Sequence, residues 1–266
     1  MSNAKGTALI TGASTGIGAV YADRFARRGH DLVLVARDTA RMEALATRLR
    51  AETGVAIEII TADLTADADV ARVEARLAKG DVGILINNAG MSLNGSLLEN
   101  GPAEFARIIA LNVTAPTRLA SAAAKAFVAR GEGAVVNIAS VLALAPEMFD
   151  GVYSGTKAFV LNLSQWMTAQ LSEKGVYTQA VLPGATRTEI WERSGKDVDA
   201  FPEGFVMAVD DLVDAALVGF DRREAVTIPP LPDAGQFAAM QQARAAMGPN
   251  LSKSAVAERY REPVAA

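Results

Sequence analysis

The chain has 266 residues, no cysteine, one histidine, and a net charge of −4 from 26 Lys+Arg against 30 Asp+Glu. Without cysteine there are no disulfides, thiolate zinc sites, iron–sulfur clusters or cysteine nucleophiles. His30 alone cannot build a multi-histidine metal site, and it is the lone histidine base a Ser-His-Asp hydrolase would have.

Apolar, β-branched runs alternate with helical patterns along the chain. The pattern predicts strands over Thr7–Thr11, Asp31–Ala36, Val55–Thr61, Val82–Asn87, Ala134–Ala139, Val176–Leu182 and Ala225–Ile228. Helices are predicted over Ile17–Arg28, Thr39–Glu52, Ala68–Ala78, Pro102 to about Arg130, Val152–Glu173 and Asp210–Asp221. Buried runs separated by helices indicate a parallel sheet covered on both faces. That repeat suits a doubly wound sheet or a (β/α)₈ barrel. Residues 189–209 break the rhythm, with Trp191, Phe201, Pro202, Gly204 and Phe205, as a functional loop would. Residues 233–266 form a C-terminal extension that opens on a helical pattern. No repeat or linker divides the chain, so a single domain over 1–266 is expected.

No apolar run reaches the roughly 18 residues of a membrane span. No basic run marks a nucleic-acid surface. Met1 to Lys5 lead straight into the first strand, with no apolar region of signal-peptide type. The expectation is a cytoplasmic protein with no membrane or nucleic-acid partner and no metal.

The first strand runs into a turn that carries Gly12, Ser14, Thr15, Gly16, Ile17 and Gly18. Glycines let backbone N–H groups approach a pyrophosphate at the start of the following helix. No Gly-Lys-Ser/Thr follows, which excludes a Walker-type loop. After the second strand, Arg37 stands where a cation suits a 2′-phosphate, and no acid occupies the preceding position. Asp38 either caps the next helix or reaches a ribose. Asp63, followed by Leu64, either accepts from an adenine amino group or caps a turn. Asn88, Ala89 and Gly90 end the fourth strand, at the edge where such sheets bind ligands.

Tyr153 and Lys157 are four apart, on one face of a predicted helix. A neighbouring ammonium favours the phenolate, so such a tyrosine can exchange protons near neutral pH. Ser140 lies at the end of the fifth strand, on the same sheet edge. Asn112, inside a long helix, either bends it or serves the site. His30 falls at the opposite edge and is expected to be structural.

Together, Thr11-Gly12-x-x-x-Gly16-Ile17-Gly18, Asn87-Asn88-Ala89-Gly90, Asn112, Ser140, Tyr153, Lys157 and Pro183-Gly184 resemble the short-chain dehydrogenase/reductase family, over about Lys5 to Ile228. The resemblance implies a single-domain, Rossmann-type, doubly wound α/β sheet of about seven parallel strands. It implies that Tyr153 protonates a carbonyl oxygen held by Ser140. Lys157 would bind the nicotinamide ribose and lower the pKa of Tyr153, and Asn112 would anchor a relay water. Pro183, Gly184, Thr186 and Thr188 would hold the nicotinamide carboxamide. Arg37 matches the basic position of NADP-preferring members, while Thr15 departs from members with a second basic residue in the turn. NADP(H) is therefore the expected cofactor, with NAD(H) the alternative.

Leu93, Leu142, Phe149 and Trp191 are expected to face the substrate, with Leu144, Met148, Phe201, Phe205 and Met207 nearby. This lining suits an uncharged, small-to-medium ketone, aldehyde or alcohol. Family members assemble as homodimers or homotetramers through the helix of Tyr153 and the one before it, and the Ala-rich stretch Leu119–Phe127 suits that packing. The alternative function is a non-catalytic NADP-sensing protein of the same fold. Extended epimerase or dehydratase relatives have a longer C-terminal domain and another glycine spacing.

Overall fold

The computed structural model describes residues 6–95, 97–195 and 197–261. Met1 to Lys5 and the last five residues of the expected extension lie outside this range. The chain divides into two compact units, with the boundary in the chain between Pro229 and Pro230.

The first unit alternates strand and helix. In order it contains β1 (Thr7–Thr11), α1 (Gly16–Arg27), β2 (Asp31–Ala36), α2 (Thr39–Thr53), β3 (Ile57–Thr61), α3 (Asp67–Leu77), β4 (Val82–Asn87) and α4 (Pro102–Ile109). Then come α5 (Ala115–Arg130), β5 (Gly133–Ile138), α6 (Gly151–Leu171), β6 (Val176–Val181), α7 (Ile190–Arg193), α8 (Val209–Asp221) and β7 (Val226–Thr227). The seven strands form one parallel sheet in the order β3-β2-β1-β4-β5-β6-β7. The order reverses between β1 and β4, so the sheet is open and doubly wound, and the barrel is excluded.

Alternate residues of each strand enter opposite cores. Ile10, Leu34, Ile86 and Val136 pack with Phe25, Met42 and Val213 on one face. Leu9, Val33, Leu85 and Val135 pack with Val73, Leu119 and Phe127 on the other. Burial on both faces is why these strands read as unbroken apolar runs.

The helix expected over Pro102 to Arg130 is two helices. A π-helical turn, Ala110–Thr114, separates α4 from α5. Pro116 accounts for the break. It has no N–H to give the Asn112 carbonyl, and its ring would strike that carbonyl in a regular α-helix. The widened turn resolves both problems.

His30 contacts the Gly6 carbonyl through Nδ1 at 3.3 Å and packs edge-on against Phe25. It precedes β2, at the edge of the sheet opposite the strand carboxyl ends.

The second unit, described as far as Arg261, carries α9 (Ala234–Met247). Asp233 caps it by accepting from the Gly235 N–H at 2.8 Å. Among the described residues, no helix is long and apolar enough to cross a membrane.

Candidate active site

The carboxyl ends of β1 to β6 open into one cavity of about 670 Å³. Its wall passes from Arg37 after β2 and Asp63 after β3, past Gly12 and Gly90, to Ser140 after β5 and Pro183 after β6.

The turn after β1 is locked from β4. Thr11 Oγ1 accepts from the Asn88 and Ala89 N–H groups at 2.9 and 3.0 Å. Asn88 Nδ2 donates to the Thr11 carbonyl at 2.9 Å. Gly12 has φ +66°, and a Cβ on Gly18 would collide with the Gly12 carbonyl. Gly18 therefore serves packing and does not line the cavity, whereas Ser14, Thr15, Gly16 and Ile17 do. No side chain caps α1 at Thr15. An uncapped helix start facing a cavity has backbone donors and a positive dipole end aimed at whatever enters, which fits a diphosphate.

Asp38 is the cap of α2, accepting from the Arg41 N–H at 3.0 Å. Arg41 also reaches both carboxylate oxygens of Glu189 at 2.7 Å. This ion pair joins α2 to the segment after Thr188. Asp63 accepts from the N–H and Oγ1 of Thr65 at 3.0 and 2.8 Å. Burial alone would raise its pKa, but those bonds and the charges of Arg37 and Arg107 hold it below the usual carboxylate value. Asp63, Leu64, Asn88, Ala89 and Gly90 all line the cavity.

Asp150 caps α6 by accepting from the Val152 N–H at 2.9 Å. Tyr153 and Lys157 follow on successive turns, and both line the cavity. The Lys157 ammonium donates to the Ile138 carbonyl at 2.9 Å and stands 5.7 Å from the centre of the Tyr153 ring. Burial pulls Lys157 down to about 8. Burial pushes the Tyr153 hydroxyl up to about 12, with a Ser140 hydrogen bond pulling the other way. At neutral pH Tyr153 is thus a held acid, next to a hydroxyl and a nearby cation.

Asn112 stands behind this wall. Its Oδ1 accepts from the Met91 N–H at 2.9 Å, and its Nδ2 donates to the Met91 carbonyl at 2.8 Å and to Thr156 Oγ1 at 3.1 Å. A Cβ on Gly90 would lie 3.4 Å from both Asn112 Oδ1 and Lys157 Nζ. Glycine there leaves room for both groups.

Past Tyr153 the wall is aromatic. Phe149 meets Tyr153 and Trp191 edge-on, Trp191 meets Phe201, and Phe201 stacks on Phe205 at 5.3 Å. Trp191 Nε1 donates to the Thr186 carbonyl at 2.7 Å, which ties the wall to the stretch after β6. Leu142, Met148, Thr186 and Thr188 also line the cavity. Leu93, Leu144 and Met207 do not, and Leu93 is buried. The sequence reading missed Arg107 and the Arg41–Glu189 pair. Nothing local marks either, because each depends on segments far apart in the chain.

The family model described as short chain dehydrogenase matches residues 6–199. The chain belongs to that family. It is 58% identical to the short-chain dehydrogenase from Sphingobium yanoikuyae, solved in complex with NADPH, with a TM-score of 0.94 over 96% of this chain and all of that one. It is 52% identical to the bulky-bulky ketone specific alcohol dehydrogenase from Comamonas testosteroni, with a TM-score of 0.89 over 96% of this chain and 98% of that one. It is also 36% identical to 17-beta-hydroxysteroid dehydrogenase type 3 from Homo sapiens over 183 residues, 68% of this chain and 59% of that one. This short-chain dehydrogenase thus spans about three-fifths of the length of that curated relative.

Proposed function

We propose that the chain is an NADP(H)-dependent oxidoreductase that interconverts a ketone or aldehyde and its alcohol, with Tyr153 as general acid and base. The observation that carries this is the meeting of Tyr153, Ser140 and Lys157 in one cavity with an uncapped helix start and an aromatic wall.

When bound, the reduced nicotinamide supplies the hydride. Ser14, Thr15, Gly16 and Ile17 hold the diphosphate through the start of α1, and Arg37 meets the 2′-phosphate. Asp63 and Leu64 border the adenine. Asn88, Ala89 and Gly90 let the ligand lie against backbone. Pro183, Gly184, Thr186 and Thr188 hold the carboxamide. NADPH in the Sphingobium yanoikuyae structure supports NADP(H) as the cofactor.

Tyr153 gives its proton to the carbonyl oxygen as Ser140 donates a hydrogen bond to the same atom. Lys157 lowers the cost of the phenolate that remains. The Asn112 carbonyl, which Pro116 cannot serve as a helical donor, holds the water that returns a proton. Such proton transfer is worth about 10²–10⁴-fold in rate.

The substrate is an apolar ketone with a large group on each side. Phe149, Trp191, Phe201 and Phe205 supply the matching surface, and the description of the Comamonas testosteroni enzyme points the same way. Residues 189–209 are the substrate loop and residues 233–266 an extension of one dinucleotide-binding domain. The enzyme works in the cytoplasm as a homodimer or homotetramer. Val128 on α5 and Phe159 and Trp166 on α6 are exposed and suit such an interface.

The test is consumption of NADPH by the purified protein against a panel of diaryl and alkyl-aryl ketones. Wild-type protein turns over a member of the panel. Tyr153→Phe keeps NADPH binding and loses about 10²-fold or more in turnover. A variant that retains most of the wild-type rate would mean that Tyr153 is not the acid.

A further inference from the structure

The arginines of this chain are mostly spent on partners. Arg24, Arg27, Arg41, Arg48, Arg76 and Arg118 each meet at least one carboxylate. Arg37 and Arg107 differ. Neither side chain makes a hydrogen bond or an ion pair among the described residues. Both are exposed, and both line the active-site cavity.

The two reach the cavity from different elements. Arg37 follows β2, and Arg107 is on α4, 70 positions later. Asp63 lines the same cavity wall, and both charges act on it. Asp63 is already engaged by Thr65 through two hydrogen bonds. Asp38 and Glu189, the other acids on the wall, are both engaged by Arg41. The guanidinium donors of Arg37 and Arg107 are therefore unspent on the wall that also holds Asp63. The diphosphate region, by contrast, relies on backbone N–H groups of the turn after β1.

From this juxtaposition we infer that Arg107 is a second cation for the cofactor's 2′-phosphate and a determinant of NADPH over NADH. It supplies from α4 the basic group that Thr15 does not supply in the turn. A phosphate monoester is a dianion near neutral pH with three acceptor oxygens. Two guanidinium groups can each donate to it, and such charge-assisted bonds are the strong ones. NADH has a ribose hydroxyl there and gains little from either arginine. The inference rests on the NADP(H) reading above.

The experiment is calorimetric titration of the full chain with NADPH, NADH, 2′,5′-ADP and 5′-AMP, for wild type, Arg107→Gln and Arg107→Lys. Arg107→Gln is expected to weaken NADPH and 2′,5′-ADP about tenfold or more and to leave NADH and 5′-AMP within about twofold. Arg107→Lys keeps the charge and recovers part of the loss. Equal weakening of all four ligands would mean that Arg107 stacks on the adenine, and no weakening would mean it is a solvated side chain. Either result overturns the inference while leaving wild-type NADPH preference intact. Wild-type protein that binds NADPH no tighter than NADH overturns the NADP(H) reading itself, and the inference with it.

Discussion

Lys157→Met is expected to stabilise the fold while abolishing turnover. Lys157 is buried, and its ammonium titrates at about 8 against the ordinary 10.5. At about 1.4 kcal/mol per pH unit, holding that charge at neutral pH costs on the order of 3 kcal/mol. Methionine keeps the length and apolar stem of the side chain without the charge. The Ile138 carbonyl loses its 2.9 Å donor, which returns about 1 kcal/mol. The net gain at pH 7 is about 2 kcal/mol, or about 4 °C in Tm for a chain of this size. The gain depends on pH in a defined direction. As pH rises, the folded state releases this proton before the unfolded chain does. Between about 8 and 10.5 the unfolded chain holds more protons, so wild-type stability climbs through that window. The variant lacks the climb, and its advantage shrinks to nothing or reverses by its upper end. Urea unfolding of both proteins from pH 7 to pH 10 measures this directly. A variant less stable than wild type at pH 7, or an advantage unchanged at pH 10, would refute the reasoning.

Two further outcomes follow from the wall and its ties. Trp191→Ala removes both the Thr186 hydrogen bond and the edge contacts with Phe149 and Phe201. KM for a diaryl ketone should rise about tenfold, and that for a small aliphatic aldehyde should change little; equal changes would mean that Trp191 only braces the loop. Glu189→Gln breaks the exposed pair with Arg41 that joins α2 to the segment after Thr188. NADPH dissociation, followed by stopped flow, should quicken up to about fivefold at low salt and converge with wild type at high salt. Identical rates at low salt would show that the pair does not retain the cofactor.

The strands were legible because burial on both sheet faces leaves unbroken apolar runs, as in Leu32–Ala36. Tyr153 and Lys157 were legible because four residues make about one helical turn. The sequence left Asp38 open between a cap and a ribose ligand, and its bond to the Arg41 N–H makes it the cap. The break between α4 and α5 was not read, although Pro116 marks it, because a proline near a helix start is also compatible with a continuing helix. Leu93 was expected at the substrate and is buried elsewhere, since apolar character is the same signal for a core and a pocket.

What the sequence determined by itself was the chemistry available. It has no thiol and no histidine cluster, and a tyrosine, a lysine and a serine fall at the end of strands or on one helix face. Those features are local, set by residue type and spacing. The tertiary structure decided how the strands are ordered, that one cavity joins six strand ends, and that Arg107 lines the same cavity as Arg37. The physical reason is that these relations join residues tens of positions apart. They are fixed by which faces pack together in the two cores, and no short stretch of sequence carries that information.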